Sequence, residues 1–287
     1  MKTVNIGNSA YPDLLKEIKS RPDKLYYKGN WSREIFKNCL AVVGSRQITT
    51  YGRQITNKLV PEIASAGITI VSGFMYGVDA QAHRAALLGG GKTIAVMPCG
   101  IDRIHPGYQD KLYNQILEEG GLIISETKGK TMPALWSYPR RNRIVAGLSQ
   151  ATLVVEAGLE SGSLITANLT NKFRRKLFAI PGPLTSSVSK GTLGLIKDGA
   201  EMVTSADDIL NYYNLGNKRG LEIDSLFLNL DREEKEIIEK LKQEPMDIDF
   251  LSRQLNKTSS QVGTKLSLMH LKGLVNQEAG KYYVDSL

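Results

Sequence analysis

The sequence predicts a doubly wound α/β domain with a mostly parallel sheet, followed by a small domain of three helices and a hairpin. Three observations lead there. Six short apolar runs, rich in β-branched residues, recur between segments whose apolar residues fall at helical spacing. Glycines gather where those runs end, in SGFMYG, CGIDRIHPG and EAGLESGS, where the chain must turn into the next helix. Beyond residue 225 the alternation stops and short amphipathic helices with clear caps replace it.

Taken in order, the runs are Cys39 to Val43, Ile68 to Ser72, Thr93 to Met97, Leu122 to Ser125, Thr152 to Glu156 and Leu177 to Ile180. Each is nearly continuous in hydrophobicity, as a strand covered on both faces must be, so helices are expected on both sides of the sheet. YGRQITNKLVPEIASAG supplies one, starting near Thr49. KGTLGLIKDGAEMV predicts a short helix and strand at the edge, and Asp207 to Tyr213 a last helix. Residues 1–215, with a short N-terminal helical and strand extension, are expected to form the first domain, and the polar, glycine-containing residues 216–224 a linker. Residues 225–287 form the second. DREEKEIIEKLKQ opens at Asp231, DIDFLSRQLN is capped by Asp247, and TSSQVGTKLSLMHLKG opens at Thr258 and closes at Gly273. LVNQEAGKYYVDSL reads as two strands around an Ala-Gly turn, which completes the pattern of a winged helix.

Charge divides the chain in the same place. Residues 221–287 hold 9 Lys and Arg against 12 Asp and Glu, a net of −3, whereas residues 1–220 carry a net of +11. The first domain is thus suited to a polyanion and the second, by bulk charge, is not. Cys39 and Cys99 sit in apolar runs, which fits reduced intracellular thiols better than a disulfide framework or a metal cluster; with His83, His105 and His270 scattered, no zinc site is expected. No signal peptide and no run of 18 apolar residues is present, so a soluble cytoplasmic protein is expected.

Three loops carry the candidate chemistry. In VVGSRQITTYG, the turn at Gly44, the hydroxyl of Ser45, the guanidinium of Arg46 and the start of the next helix would together hold an anion, although a Gly-Ser turn also serves as plain punctuation. The loop is neither a Walker A nor a G-x-G-x-x-G sequence. In SGFMYGVDAQAHRAAL, Asp79 and His83 fall at i, i+4; an acid/base pair is one reading, and a helix-start bond plus a packed histidine is the favoured one. In WSYPRRNRIVAGLS, Trp136 and Tyr138 precede Arg140, Arg141 and Arg143, so stacking faces alternate with phosphate-pairing groups, a combination suited to an unpaired strand. Trp136 could instead belong to the core. ESGSLITANL places Ser161, Gly162, Ser163 and Thr166 at another helix start, a second anion site. Leu193, Ile196 and Met202 are more apolar than an exposed edge allows, and either form a symmetric dimer surface or close the domain's own core.

In order and spacing, VVGSRQITTYG, SGFMYGVDAQAHRAAL, TIAVMPCGIDRIHP, SYPRRNRIVAGLS, EAGLESGSLITA and FAIPGPLTSSVSKGTLGLIKDGA resemble the DNA-processing protein A (DprA/Smf) family from about Tyr11 to Val203. The acidic tail is similar to that family's winged-helix domain. The resemblance implies a Rossmann-like domain that binds single-stranded DNA at the strand ends, forms a homodimer, protects incoming strands and loads the RecA recombinase during natural transformation. It implies no catalytic residue, cofactor or metal. Carried onto this sequence, Gly44, Ser45 and Arg46 hold phosphate; Asn142 and Arg143 belong to the Arg-Asn-Arg motif, with Arg140 beside it; Ser161, Gly162 and Ser163 form the Ser-Gly-Ser motif. Lys111, Lys172 and Lys190, chosen mostly on charge, are expected to contact the outer backbone. MPCG stands where Leu-Gly-x-Gly is more usual, which bears on Asp102 and Arg103, and the helical domain that precedes this one in some members is not expected. The rival reading is a nucleotide-hydrolysing enzyme of a related fold, with Glu156 and Glu160 as acid and base. EAGLESGSLITA lacks the Gly-Gly-x-Gly-Thr loop of such enzymes. A duplex-binding regulator is disfavoured by the net −3 of the tail.

Overall fold

The structure, a computed structural model, describes residues 2–216, 230–241, 244–271, 274–278 and 280–284. The expected linker beyond Gly216, the helix end at Gly273 and Ala279 of the expected turn lie outside the described residues. The chain divides into two compact units, Met1–Leu215 and Gly216–Leu287.

Nine strands form one sheet in the first unit: β1 (Lys2–Asn5), β2 (Lys24–Gly29), β3 (Cys39–Val43), β4 (Thr69–Ser72), β5 (Thr93–Gly100), β6 (Leu122–Thr127), β7 (Ala151–Val154), β8 (Lys176–Ala179) and β9 (Glu201–Met202). Their order is β1-β2-β6-β5-β4-β3-β7-β8-β9. All pairs from β6 to β9 are parallel, and β2 joins β6 antiparallel, with β1 antiparallel to β2. The six expected strands are therefore present as a mostly parallel, doubly wound sheet. The expected N-terminal strand extension is the antiparallel β1–β2 ribbon, in which KLYYKG carries a lysine near each end and so shows no continuous apolar run.

Side chains along β3 alternate between two cores, as a period of two requires. Leu40 and Val42 pack with Leu59, Val60 and Ile63 of α2 (Thr50–Ser65) and Ala82 and Ala86 of α3 (Val78–Leu88). Ala41 and Val43 pack on the other face with Ile144, Val145 and Leu148 of α5 (Ser137–Leu148) and Ala167 of α6 (Gly162–Lys172). The remaining helices of this unit are α1 (Asp13–Lys16), α4 (Asp110–Glu118), α7 (Lys190–Lys197) and α8 (Ala206–Tyr212). From β3 the chain builds outward to β6 and then returns to β7 on the other side of β3, so the strand order reverses between β3 and β7. A crevice opens at the carboxyl ends of strands at such a switch point, and it is where open α/β sheets bind ligands.

The MPCG departure has a local consequence. β5 runs on through Pro98 to Gly100 with a register shift against β6, and Gly100 has no Cβ because the Gly129 carbonyl occupies that space. Asp102 pairs with Lys28 at 3.2 Å, and Arg103 Nε donates to the Lys130 carbonyl at 3.0 Å.

His83 is fully buried, with its ring 5.8 Å from that of Phe74. Thr93 Oγ1 gives its proton to the Ile70 carbonyl, so His83 Nδ1, 2.7 Å from the same oxygen, is the donor in a neutral ring. Burial, assisted by the charges of Arg141 and Arg84, lowers its pKa from 6.5 to about 3. The unfolded chain therefore binds a proton near pH 6.5 that the folded chain refuses until about pH 3. This contribution to stability is whole above pH 6.5 and is lost as pH falls toward 3. Denaturant midpoints measured between about pH 7 and pH 4 should decline, and His83→Gln should flatten the decline.

The second unit comprises α9 (Arg232–Leu241), α10 (Ile248–Leu255), α11 (Ser259–Leu271) and the antiparallel pair β10 (Asn276–Glu278) and β11 (Lys281–Tyr283). Asp231 and Glu234 cap α9 reciprocally, and Asp247 accepts from the Phe250 amide at 2.7 Å to start α10. Ile237, Ile238 and Leu241 meet Leu251, Val262, Leu266 and Met269 in its core. Lys257 pairs with Glu233 and Lys265 with Asp231, which removes two cations from use by a phosphate backbone. Among the described residues, no helix is long and apolar enough to cross a membrane.

Candidate functional site

A cleft of about 780 Å³ occupies the switch point. The loop after β3, the loop after β4, the start of α5 and the loop leading into α6 form its walls. Gly44, Ser45, Arg46, Tyr138, Asn142, Ser161, Gly162, Ser163 and Thr166 all line it, so segments far apart in sequence converge on one concavity.

The loops after β3 and β4 brace each other. The Ser45 amide donates to the Glu156 carbonyl at 2.7 Å and the Val78 amide to the Ser45 carbonyl at 3.1 Å. This closeness excludes side chains: a Cβ on Gly44 would stand 2.6 Å from Val78 Cγ2, and Gly77 holds φ at +80° against the Ser45 carbonyl. The Ser45 hydroxyl is committed to the turn, accepting from the Gln47 amide at 3.0 Å and donating to its carbonyl at 3.1 Å.

The start of α2 is not open to a phosphate. Thr49 caps it by accepting from the Gly52 amide at 3.1 Å, and buried Glu156 accepts from both the Thr49 amide, at 3.0 Å, and the Thr49 hydroxyl. The carboxylate thus stands where the sequence placed an external anion, and it complements the helix dipole. Gly52 lacks a side chain because that carboxylate fills the space. Glu156 is spent on this duty and does not line the cleft, whereas Glu160 is exposed on its lip. From the first loop, Arg46 is the cation that reaches the cleft, its guanidinium 5.2 Å from the Tyr138 ring centroid and 5.8 Å from that of Tyr76.

The start of α6 remains accessible. Ser161 caps it with a long 3.4 Å bond from the Ser163 amide, the two hydroxyls lie 2.8 Å apart, and Asn142 Nδ2 donates to the Gly162 carbonyl at 3.4 Å. A Cβ on Gly162 would meet nothing within 4 Å, so there is open space beside this helix start. Amides and hydroxyls with no internal anion make this the stronger of the two expected anion sites.

Helix α5 divides its residues by face. Tyr138, Asn142 and Val145 point to the cleft, and Tyr138 bonds His105 Nε2 at 2.9 Å through its hydroxyl. Arg140 and Arg143 do not line it. Both pair with Glu126 at the end of β6, at 2.9 and 2.7 Å, because their positions fall on another side of the helix. Trp136 is 64% exposed and so is not core; it lies beside Arg140, 5.7 Å from its guanidinium, outside the cleft lining. Lys111, Lys172 and Lys190 are exposed and also outside the lining. Leu193 and Ile196 are partly buried, Ile196 packing on the sheet core, while Met202 is 50% exposed.

The structure adds a floor. Arg141 is only 5% exposed, donates from Nη1 to the Val96 carbonyl at 2.7 Å, and packs where a Gly73 side chain would be. Burial lowers its pKa to about 10. Asp79 lines the cleft beside it and accepts from the Met75 amide at 3.3 Å; burial raises its carboxyl above the usual range, against the pull of Arg141. The signal for Arg141 is its helical spacing with Ile144, Val145 and Leu148, which marks a core-facing arginine.

A family model described as DNA recombination-mediator protein A matches residues 2–214. The chain belongs to this family. A second model, the DprA winged helix domain, matches residues 228–281. Protein Smf of Escherichia coli is 34% identical over 278 residues, 95% of this chain and 74% of that protein. The X-ray structure of DprA from Streptococcus pneumoniae superposes with a TM-score of 0.69 at 39% identity, covering 73% of each chain. DNA processing protein A from Helicobacter pylori, whose structural description concerns its single-stranded DNA binding mode, gives a TM-score of 0.66 at 33% identity, covering 74% of this chain and 96% of that one. As a DprA family member, the chain has a recombination-mediator role in DNA processing.

Proposed function

We propose that the cleft binds single-stranded DNA without chemical turnover, and that two copies of the chain hold a strand and pass it to RecA in the cytoplasm. The observation that carries the binding reading is that one cleft gathers the start of α6 at Ser161–Ser163 and Arg46, whose guanidinium lies 5.2 Å and 5.8 Å from the ring centroids of Tyr138 and Tyr76. Phosphate suits the amides and the guanidinium, and unpaired bases suit the rings. The net +11 of residues 1–220 and the DNA-binding relative from H. pylori support the same polyanion. Hand-over to RecA rests on the family resemblance. Turnover is tested by incubating the protein with nucleotides and assaying for free base, which should not accumulate. Competition tests strand binding: mononucleotides should displace a labelled strand far less well than unlabelled strand does.

The dimer reading rests on the edge formed by α7 and β9, where Leu193 and Ile196 stay partly buried and Met202 is exposed. Ile196→Glu is expected to shift the protein from dimer to monomer in light scattering, with its circular dichroism kept. A folded, still dimeric variant would move the interface elsewhere.

A further inference from the structure

A buried acid behind the cleft fastens both ends of the segment that presents Arg46. Glu156, only 3% exposed, follows β7 and does not line the cleft. Its carbonyl accepts from the Ser45 amide at 2.7 Å, and its carboxylate accepts from the Thr49 amide at 3.0 Å and from the Thr49 hydroxyl. Arg46, Gln47 and Ile48 lie between these two anchors, and the Ser45 hydroxyl ties the backbone of Gln47 as well. The Arg46 side chain is exposed and rests near the rings of Tyr138 and Tyr76, so the backbone that carries it decides where its guanidinium starts.

Resting on the strand-binding reading above, we infer that Glu156 is a positioning residue for strand binding, which locks Thr49 to the end of β7 and so aims Arg46 into the cleft. The carbonyl anchor belongs to the backbone, and any residue would keep it. The Thr49 anchor needs a group that accepts from an N–H and an O–H together, and a carboxylate has two oxygens for the purpose where an amide has one. Charge and position make opposite predictions for this acid. A carboxylate behind a phosphate site repels the strand, so on charge alone neutralising Glu156 should tighten binding. As the anchor of Arg46, its neutralisation should weaken binding.

The test titrates a labelled oligo-dT strand, read by fluorescence anisotropy, into the wild-type full chain, Glu156→Gln, Arg46→Ala and the double variant. Glu156→Gln is expected to bind about fivefold more weakly and with a shallower salt slope, although it makes the protein more positive. In the Arg46→Ala background the same change should cost less than about 1.5-fold, a coupling that general loosening of the fold would not produce. Gly52→Ala offers a second route, because a Cβ there takes the space of the Glu156 carboxylate while leaving Glu156, Thr49 and Arg46 in the chain. The same loss, again masked by Arg46→Ala, is expected of it even if Glu156→Gln folds poorly. Unchanged or tighter binding by these variants, or equal losses with and without Arg46, would overturn the positioning role while leaving strand binding intact. Absence of binding by the wild-type chain would overturn both.

Discussion

Gly77→Ala is expected to lower the thermal midpoint of the α/β unit by roughly 6–12 °C, reflecting a loss of about 3 kcal/mol. Gly77 precedes α3 with φ 80° and ψ −133°, a region that is essentially reserved for glycine. A side chain there would collide with the backbone of Ser45 and Arg46, and backbone cannot rotate aside as a flexible side chain can. Relief would require the loops after β3 and β4 to part, breaking the 3.1 Å bond from the Val78 amide to the Ser45 carbonyl. The same movement would displace Arg46, so strand affinity should fall together with stability. Circular dichroism melts check the first effect; a shift of less than about 2 °C would show that the loops yield freely.

Arg46→Ala should weaken binding to single strands of any sequence about tenfold, with an unchanged melt because the residue is exposed on a loop. If the cleft and its surroundings neutralise about four phosphates, log affinity against log salt should have a slope near −3, and the variant should be shallower by about 0.7. Arg46→Lys should rescue only in part, since an ammonium keeps the charge but loses the plane that lies near the Tyr76 and Tyr138 rings. Unchanged affinity and slope would make Arg46 a structural residue.

Much of this architecture can be read from the residues. Strands buried on both faces announce themselves by unbroken apolar runs, so β3 to β8 are legible, and glycines at the strand ends mark the loops that build the cleft. The antiparallel β1–β2 ribbon, whose strands are only partly covered, has no such signature. Site residues on loops, such as Arg46 and the Ser161–Ser163 turn, could be named because turn chemistry is local. Residues on α5 are sorted less easily: Arg141 shares helical spacing with Ile144, Val145 and Leu148, but nothing local shows that Arg140 and Arg143 are taken up by Glu126, 14 and 17 residues away, rather than by the cleft. Glu156 illustrates the same limit, because its partner Thr49 lies 107 residues away and no local pattern reveals that an internal carboxylate already fills the start of α2.

Strand selectivity is tested most directly by titrating the full chain with a labelled single-stranded oligonucleotide and with the duplex of the same sequence, over a series of salt concentrations. The single strand should bind at least about tenfold tighter at every salt, with a slope near −3, because the tyrosine rings can stack on bases that a duplex keeps stacked on one another. Equal or tighter binding to the duplex would contradict a site built for unpaired DNA.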